Sequence, residues 1–169
     1  MKTTNLKSNL KSNLKPNLKS SNDNTVKLPE LNEETETETE TDIPEVYGRF
    51  KGASWFPLLH EKEITVGGAG GIGSWVTFFL ARIGCKINLY DFDRFEKHNL
   101  GGQFADINCI GQSKPEAIRN ILQSFSGDCF IKCFDKYVKS SPASEIMFSC
   151  FDNMEARQIM FNNWIKSNK

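Results

Sequence analysis

The chain has 169 residues, 38% of them hydrophobic, with 21 basic side chains offset by 21 acidic ones, so one domain is the expectation. No apolar run is long enough to cross a bilayer, and the lysine-rich amino terminus lacks the apolar core of a secretory signal, which argues against a membrane or exported protein. Five cysteines (Cys85, Cys109, Cys129, Cys133 and Cys150) form no C-x-x-C pair, which argues against a disulfide framework or a cysteine zinc site and points to reduced thiols in the cytoplasm.

Residues 1 to about 45 differ from the rest. Asn5 to Ser20 repeats NLKS NLKS NLKP NLKS, and Glu33 to Thr41 alternates as EETETETET. The first block is basic and the second acidic, and neither holds enough apolar surface to offset the entropy of ordering. A disordered, solvated tail over 1–45 is expected, followed by a domain over 46–169. With opposite charge beside the lysines, the tail gives no ground for expecting a nucleic-acid or membrane partner. Order is expected to begin near Ile43 to Tyr47, with Trp55, Phe56, Leu58 and Leu59 docking a leading segment on a sheet.

The next stretch organises the domain. Ile64 to Val66 is a short apolar run with strand character, and glycines follow at Gly67, Gly68, Gly70, Gly71 and Gly73. Trp75 to Ile83 is apolar at helical length. A second run, Ile87, Leu89 and Tyr90, ends on Asp91. The order is strand, glycine turn, helix, strand, acid. Gly68, Gly70 and Gly73 stand in G-x-G-x-x-G spacing, and Asp91 lies roughly 20 residues on, where a ribose-binding acid belongs. Unsatisfied N–H groups at the helix start would face an anion. The duller reading is a glycine turn that merely connects strand to helix.

Phe104 to Gly111 reads as a loop. Pro115 to Phe125 has helical spacing, with Ser113 placed to cap its start. Phe130 to Val138 is strand-like, Ile146 to Phe151 is a short buried run ending at Asp152, and Met154 to Ile165 reads as a last helix. The alternation predicts an α/β, Rossmann-like fold: a mostly parallel sheet with helices on both faces and right-handed crossovers. Ligands of such sheets bind at the carboxyl ends of the strands, where the glycine turn, Asp91 and Asp152 converge. Lys114 opposes the dipole of the helix it begins, which favours a functional role. Asp152 reads equally as a helix cap, Asn99 as a turn residue and Arg49 as a surface charge. His60 and His98 read as solvated, and the phenylalanines as core.

The run GAGGIGSW, then DFDRFEKHNLGGQ, then IGQSK, then FDNMEAR resembles the ThiF/MoeB/E1 superfamily of ATP-dependent adenylyltransferases, over roughly Arg49 to the end. The resemblance implies activation of the C-terminal carboxylate of a ubiquitin-like or sulfur-carrier protein, with ATP and Mg2+, by a homodimer. It implies that Gly68, Gly70, Gly71 and Gly73 form the nucleotide turn and that Asp91 binds the ribose. Asp93, Asn99 and Gln103 would line the pocket around the phosphates. Lys114 would meet the phosphates, and Asp152 would hold the magnesium. Arg49 matches by position the arginine that members present to the partner subunit's ATP. The chemistry is consistent with that assignment, because carboxylate attack on the α-phosphorus joins two anions and needs cations and oriented N–H groups, but no general base.

The chain departs from the family in two places. Members carry an arginine immediately before the motif glutamine, where this chain has Gly102; a charge-assisted contact of that kind is worth about 1.5–3 kcal/mol. Either a cation is missing, with Arg94 or Lys97 as substitutes, or the loop needs glycine for a positive φ. The chain also stops one helix after FDNMEAR, where members continue, so the resemblance implies an adenylation half-domain truncated at its carboxyl end. Two other readings stand beside the adenylyltransferase: a catalytically weak nucleotide-binding or scaffold subunit, and an NAD-dependent oxidoreductase on the same turn.

Overall fold

A computed structural model describes residues 44–127 and 129–168. Of the tail expected over 1–45, residues 1–43 lie outside the described residues, as does the expected onset of order at Ile43. The backbone is already wound into a 3-10 turn over Glu45–Phe50. A four-residue helix, α1 (Phe56–Leu59), follows and buries Phe56. Phe56 lies between the rings of Phe50 and His60, with centroids 5.2 and 4.8 Å away, and Tyr47 closes on it at 5.6 Å. His60 is therefore a packed residue rather than a solvated one, its Nδ1 3.0 Å from the Ile83 carbonyl. His98 is exposed, as expected.

Four strands form one parallel sheet: β1 (Glu63–Gly67), β2 (Lys86–Tyr90), β3 (Ile131–Phe134) and β4 (Ile146–Ser149), in the order β3-β2-β1-β4. Three helices complete it: α2 (Gly73–Arg82), α3 (Lys114–Ser126) and α4 (Met154–Ser167). The two-residue period of the strands sorts the side chains. Ile64, Val66, Ile87 and Leu89 face Leu80 and Ala81 of α2 and Ala117, Ile118 and Leu122 of α3. On the other face Tyr90 meets Tyr137 and Met160 of α4. The predicted fold class is the observed one, with helices on both faces.

Three local expectations change. The strand expected over Phe130 to Val138 ends at Phe134, because Tyr137 turns inward to place its ring 5.0 Å from that of Tyr90. Ser113 makes no side-chain cap on α3. Its backbone is bridged to Arg94, and the first N–H of the helix, from Lys114, donates to the Asp93 carbonyl at 3.0 Å. The phenylalanines are not all core: Phe56 and Phe95 are buried, whereas Phe79, Phe92, Phe130 and Phe161 are more than half exposed. A four-stranded sheet with one helical layer per face has too little interior for thirteen of them.

Burial pushes the Cys85 thiol up to about 11 from 9.0. It also raises Cys109, Cys133 and Cys150 and the phenols of Tyr47, Tyr90 and Tyr137. As pH rises, the unfolded chain gives up these protons first. The stability that Cys85 contributes is thus whole below the unfolded value near 9.0 and is lost as pH climbs through the folded value near 11, and the other raised groups act in the same direction. The melting temperature should fall steadily across that alkaline range; a value unchanged through it would show that these groups titrate alike in both states.

Candidate functional site

The strand order reverses at β1. Its neighbours β2 and β4 lie on opposite sides, and the crevice beyond their carboxyl ends is where sheets of this kind take ligands. The glycine turn leaves β1 there. Gly68 has φ +91°, and a Cβ on it would stand 2.8 Å from the Cys150 carbonyl group. A Cβ on Gly73 would run into the Gly68 carbonyl oxygen. Both glycines are thus required by the protein's own packing. Gly70 is different: nothing lies within 4 Å of where its Cβ would be, and Gly71 meets only the Gly102 oxygen at 4.0 Å. The N–H groups of Gly70, Gly71 and Ile72 donate to no described residue, leaving three donors without a partner in the turn.

Asp91 sets the shape of this turn. Its Oδ2 accepts the Ala69 N–H at 2.6 Å and its Oδ1 the Asp93 N–H at 2.8 Å. The same carboxylate therefore holds the turn after β1 and the loop after β2. Asp93 in turn accepts from Lys114 Nζ at 3.1 Å. The lysine side chain is only 8% exposed while Asp93 is 52% exposed, so the ammonium is nearly buried against a carboxylate that solvent reaches.

The loop after β2 is anchored to the start of α2. Asn99 is buried, and its Oδ1 accepts the Glu96 N–H at 2.9 Å, so its oxygen serves the loop, as the turn-residue reading expected. Trp75 Nε1 donates to the Gly102 carbonyl at 3.1 Å, and Phe104 N–H donates to Ser74 Oγ at 2.9 Å. Between those two anchors Gln103 keeps a buried Oε1 without a partner. Gly102 has φ −146° and open space around it, so the positive-φ explanation for its glycine is overturned. Arg94 donates to the Gly111 carbonyl at 2.8 Å, while Lys97 is exposed.

Asp152 follows β4, is exposed, and has no hydrogen-bond or ion-pair partner among the described residues. Its reading as a cap is overturned, because Asn153 caps α4, accepting the Ala156 N–H at 2.8 Å. No group of three or more His, Cys, Asp or Glu side chains able to hold a metal occurs among the described residues. A lone free carboxylate suits Mg2+, which takes most of its ligands from phosphates and water. Arg49 is not brought to the site in its own chain. Its 3-10 turn packs through Tyr47 near Gly84, at the amino ends of the strands. The five residues of β1 separate it from the glycine turn, a distance of about 17 Å.

Sequence reasoning missed two parts of this region. Arg157 Nε donates to the Phe151 carbonyl and fixes the backbone just before Asp152; its position one helical turn past the Asn153 cap was the available signal. A cavity of about 640 Å³ beside the Asp91 loop is lined by Phe92, Tyr137, Val138, Phe151 and Ile159, which share no motif. Cys150, beneath the turn, is a half-buried thiol raised by burial, with the Arg157 charge pulling it partly back.

The two kinds of glycine should separate in stability measurements. Gly73→Ala should cost roughly 2 kcal/mol or more, since backbone must move to admit the methyl group. Gly70→Ala should stay within about 1 kcal/mol of the parent. Equal losses in denaturant titrations of both variants would contradict this account of the turn.

No helix among the described residues is long and apolar enough to cross a membrane. The model of the ThiF family matches residues 55–169. The ubiquitin-like modifier-activating enzyme 5 of Caenorhabditis elegans is 33% identical over 120 residues, covering 60% of this chain and 29% of the relative. The tRNA threonylcarbamoyladenosine dehydratase 2 of Saccharomyces cerevisiae is 27% identical over 132 residues, covering 69% of this chain and 30% of that one. The chain thus spans less than a third of the length of these curated relatives. Among solved structures, the E. coli tRNA N6-threonylcarbamoyladenosine dehydratase TcdA in complex with ATP superposes with a TM-score of 0.64 at 23% identity, over 72% of this chain and 54% of that one. That likeness is one of fold. With the family match running from Trp55 to the last residue, the chain belongs to the ThiF family.

Proposed function

We propose that this domain binds ATP with Mg2+ and adenylates the C-terminal carboxylate of a ubiquitin-like or sulfur-carrier protein. The observation that carries the reading is the set of three unpartnered N–H groups at Gly70, Gly71 and Ile72, flanked by Asp91, Lys114 and Asp152. Family membership supports it, as does a fold relative whose structure holds ATP. The protein carboxylate as acceptor rests on the motifs shared with activating enzymes; relatives named for tRNA make a modified nucleoside the alternative substrate.

In this reading the triphosphate lies across the turn, where the free N–H groups donate to its oxygens and strengthen as charge gathers in the transition state. The ribose hydroxyls meet the lone pairs that Asp91 has left, and the base enters the cavity beside Phe92. Lys114 is held under the loop by Asp93 and turns to the phosphates, which compete with that carboxylate for its ammonium. Asp152 would hold Mg2+, which neutralises the phosphates and eases departure of pyrophosphate. The carboxylate oxygen then bonds to the α-phosphorus as the bond to the bridging oxygen of pyrophosphate breaks, giving an acyl-adenylate. The residues bind, orient and neutralise; none exchanges a proton. Arg49, on the far side of its own sheet, contributes only if a homodimer presents it to the neighbour's nucleotide. A protein that stays monomeric in sedimentation with saturating ATP would remove it from the site.

Calorimetric titration tests the nucleotide reading. ATP should bind more tightly than NAD, and Asp152→Ala should abolish the gain that Mg2+ gives. Tighter binding of NAD, or an Asp152→Ala variant with undiminished Mg2+ dependence, would overturn it. Because Gly102 has room and an accessible backbone, Gly102→Arg should tighten ATP binding on the order of ten-fold, with no gain in Gly102→Ala.

A further inference from the structure

One wall of the cavity is a tight turn outside the strands. The Ser141 N–H donates to the Val138 carbonyl at 2.9 Å, and the Val138 N–H donates to Ser141 Oγ, also at 2.9 Å. Tyr137, Val138, Lys139 and Ser140 line the cavity from this turn. What holds it is one side chain on α4. Asn163 is 8% exposed, and its Nδ2 lies 3.2 Å from Tyr137 Oη, from the Val138 carbonyl and from the Ser141 carbonyl. Two of those partners are backbone carbonyls, which only accept, so the amide nitrogen must face them. Tyr137 Oη accepts from Asn163 and donates to the Pro142 carbonyl at 3.3 Å. Asn163 does not line the cavity itself.

We infer that Asn163 is a positioning residue for nucleotide binding. By clamping the Tyr137–Ser141 turn it fixes the width of the base cavity, and it acts on the base while leaving the phosphate end of the site alone. The inference rests on the ATP reading above. Its physical ground is the separation of the two ends. The phosphates are held by the turn after β1 and by Lys114, which share no hydrogen bond with Asn163. The base is held by a turn whose Ser141 carbonyl loses its donor if Asn163 is removed, and whose Val138 carbonyl keeps only the Ser141 N–H. An unpaired carbonyl there would draw water into the cavity or swing out toward it.

The test compares Mg2+–ATP with Mg2+–tripolyphosphate, which carries the phosphates and no base, on the full chain by calorimetry. Asn163→Ala should weaken ATP binding about ten-fold, the equivalent of one lost hydrogen bond, and leave tripolyphosphate affinity unchanged. Asn163→Asp, of the same shape but unable to donate, should do the same. Tyr137→Phe keeps the ring and removes only the hydroxyl, so it should shift ATP alone by a smaller factor, and it decides the matter if the Asn163 variants do not fold. Equal losses for both ligands would mean a general structural role and overturn the inference, as would ATP binding unchanged in the folded variants. A wild-type chain that binds tripolyphosphate but not ATP would overturn both this inference and the ATP reading. A wild-type chain that binds neither would overturn the nucleotide reading, and this inference with it.

Discussion

The structure depends on how closely the turn after β1 is folded on itself and on the end of β4. Gly73 leaves no room for a side-chain carbon beside the Gly68 carbonyl, and Gly68 leaves none beside Cys150. This contact brings the start of α2 against β1 and fixes where the chain emerges from β4. Two consequences follow from the one constraint. The N–H groups of Gly70, Gly71 and Ile72 are left outside the helix ladder, and Asp152 emerges from the sheet on the same side as those donors.

The second layer of the design is electrostatic and shared between loops. Asp91 spends one oxygen on the β1 turn and the other on the β2 loop, so the two cannot shift independently. Asp93 then holds Lys114, whose ammonium is nearly buried, and the loop beyond is anchored to α2 through Trp75 and Ser74. Its partner is an exposed carboxylate, so the lysine is held at the loop and can still turn toward a stronger anion. Gly102 adds no charge to this field.

Much of this was legible in the sequence because it is local and periodic. The strand, glycine turn, helix and acid are contiguous, and their spacing is that of a nucleotide-binding turn. The sheet face of Ile64, Val66, Ile87 and Leu89 follows from alternation. Less legible was whatever depends on contacts distant in sequence. Nothing near His60 announces that it will be packed against Phe56 and tied to Ile83. Nothing near Tyr137 shows that it will turn inward to Tyr90 and end the strand early. The cavity is assembled from Phe92, the Tyr137 turn, Phe151 and α4, four segments with no common motif. Asp152 shows the limit of local reasoning, since Asp and Asn side by side are equally good caps and only the geometry assigns that task to Asn153. Gly102 shows it again: glycine in sequence does not reveal the sign of φ, and here it is negative.

The central claim is that the free donors of the glycine turn hold the phosphates. Residue-resolved amide hydrogen exchange, followed by NMR with and without Mg2+–ATP, measures it directly. Exchange at Gly70, Gly71 and Ile72, fast in the free protein, should slow by an order of magnitude or more on binding. ATP bound at saturation with those three amides still exchanging at the free rate would contradict the account.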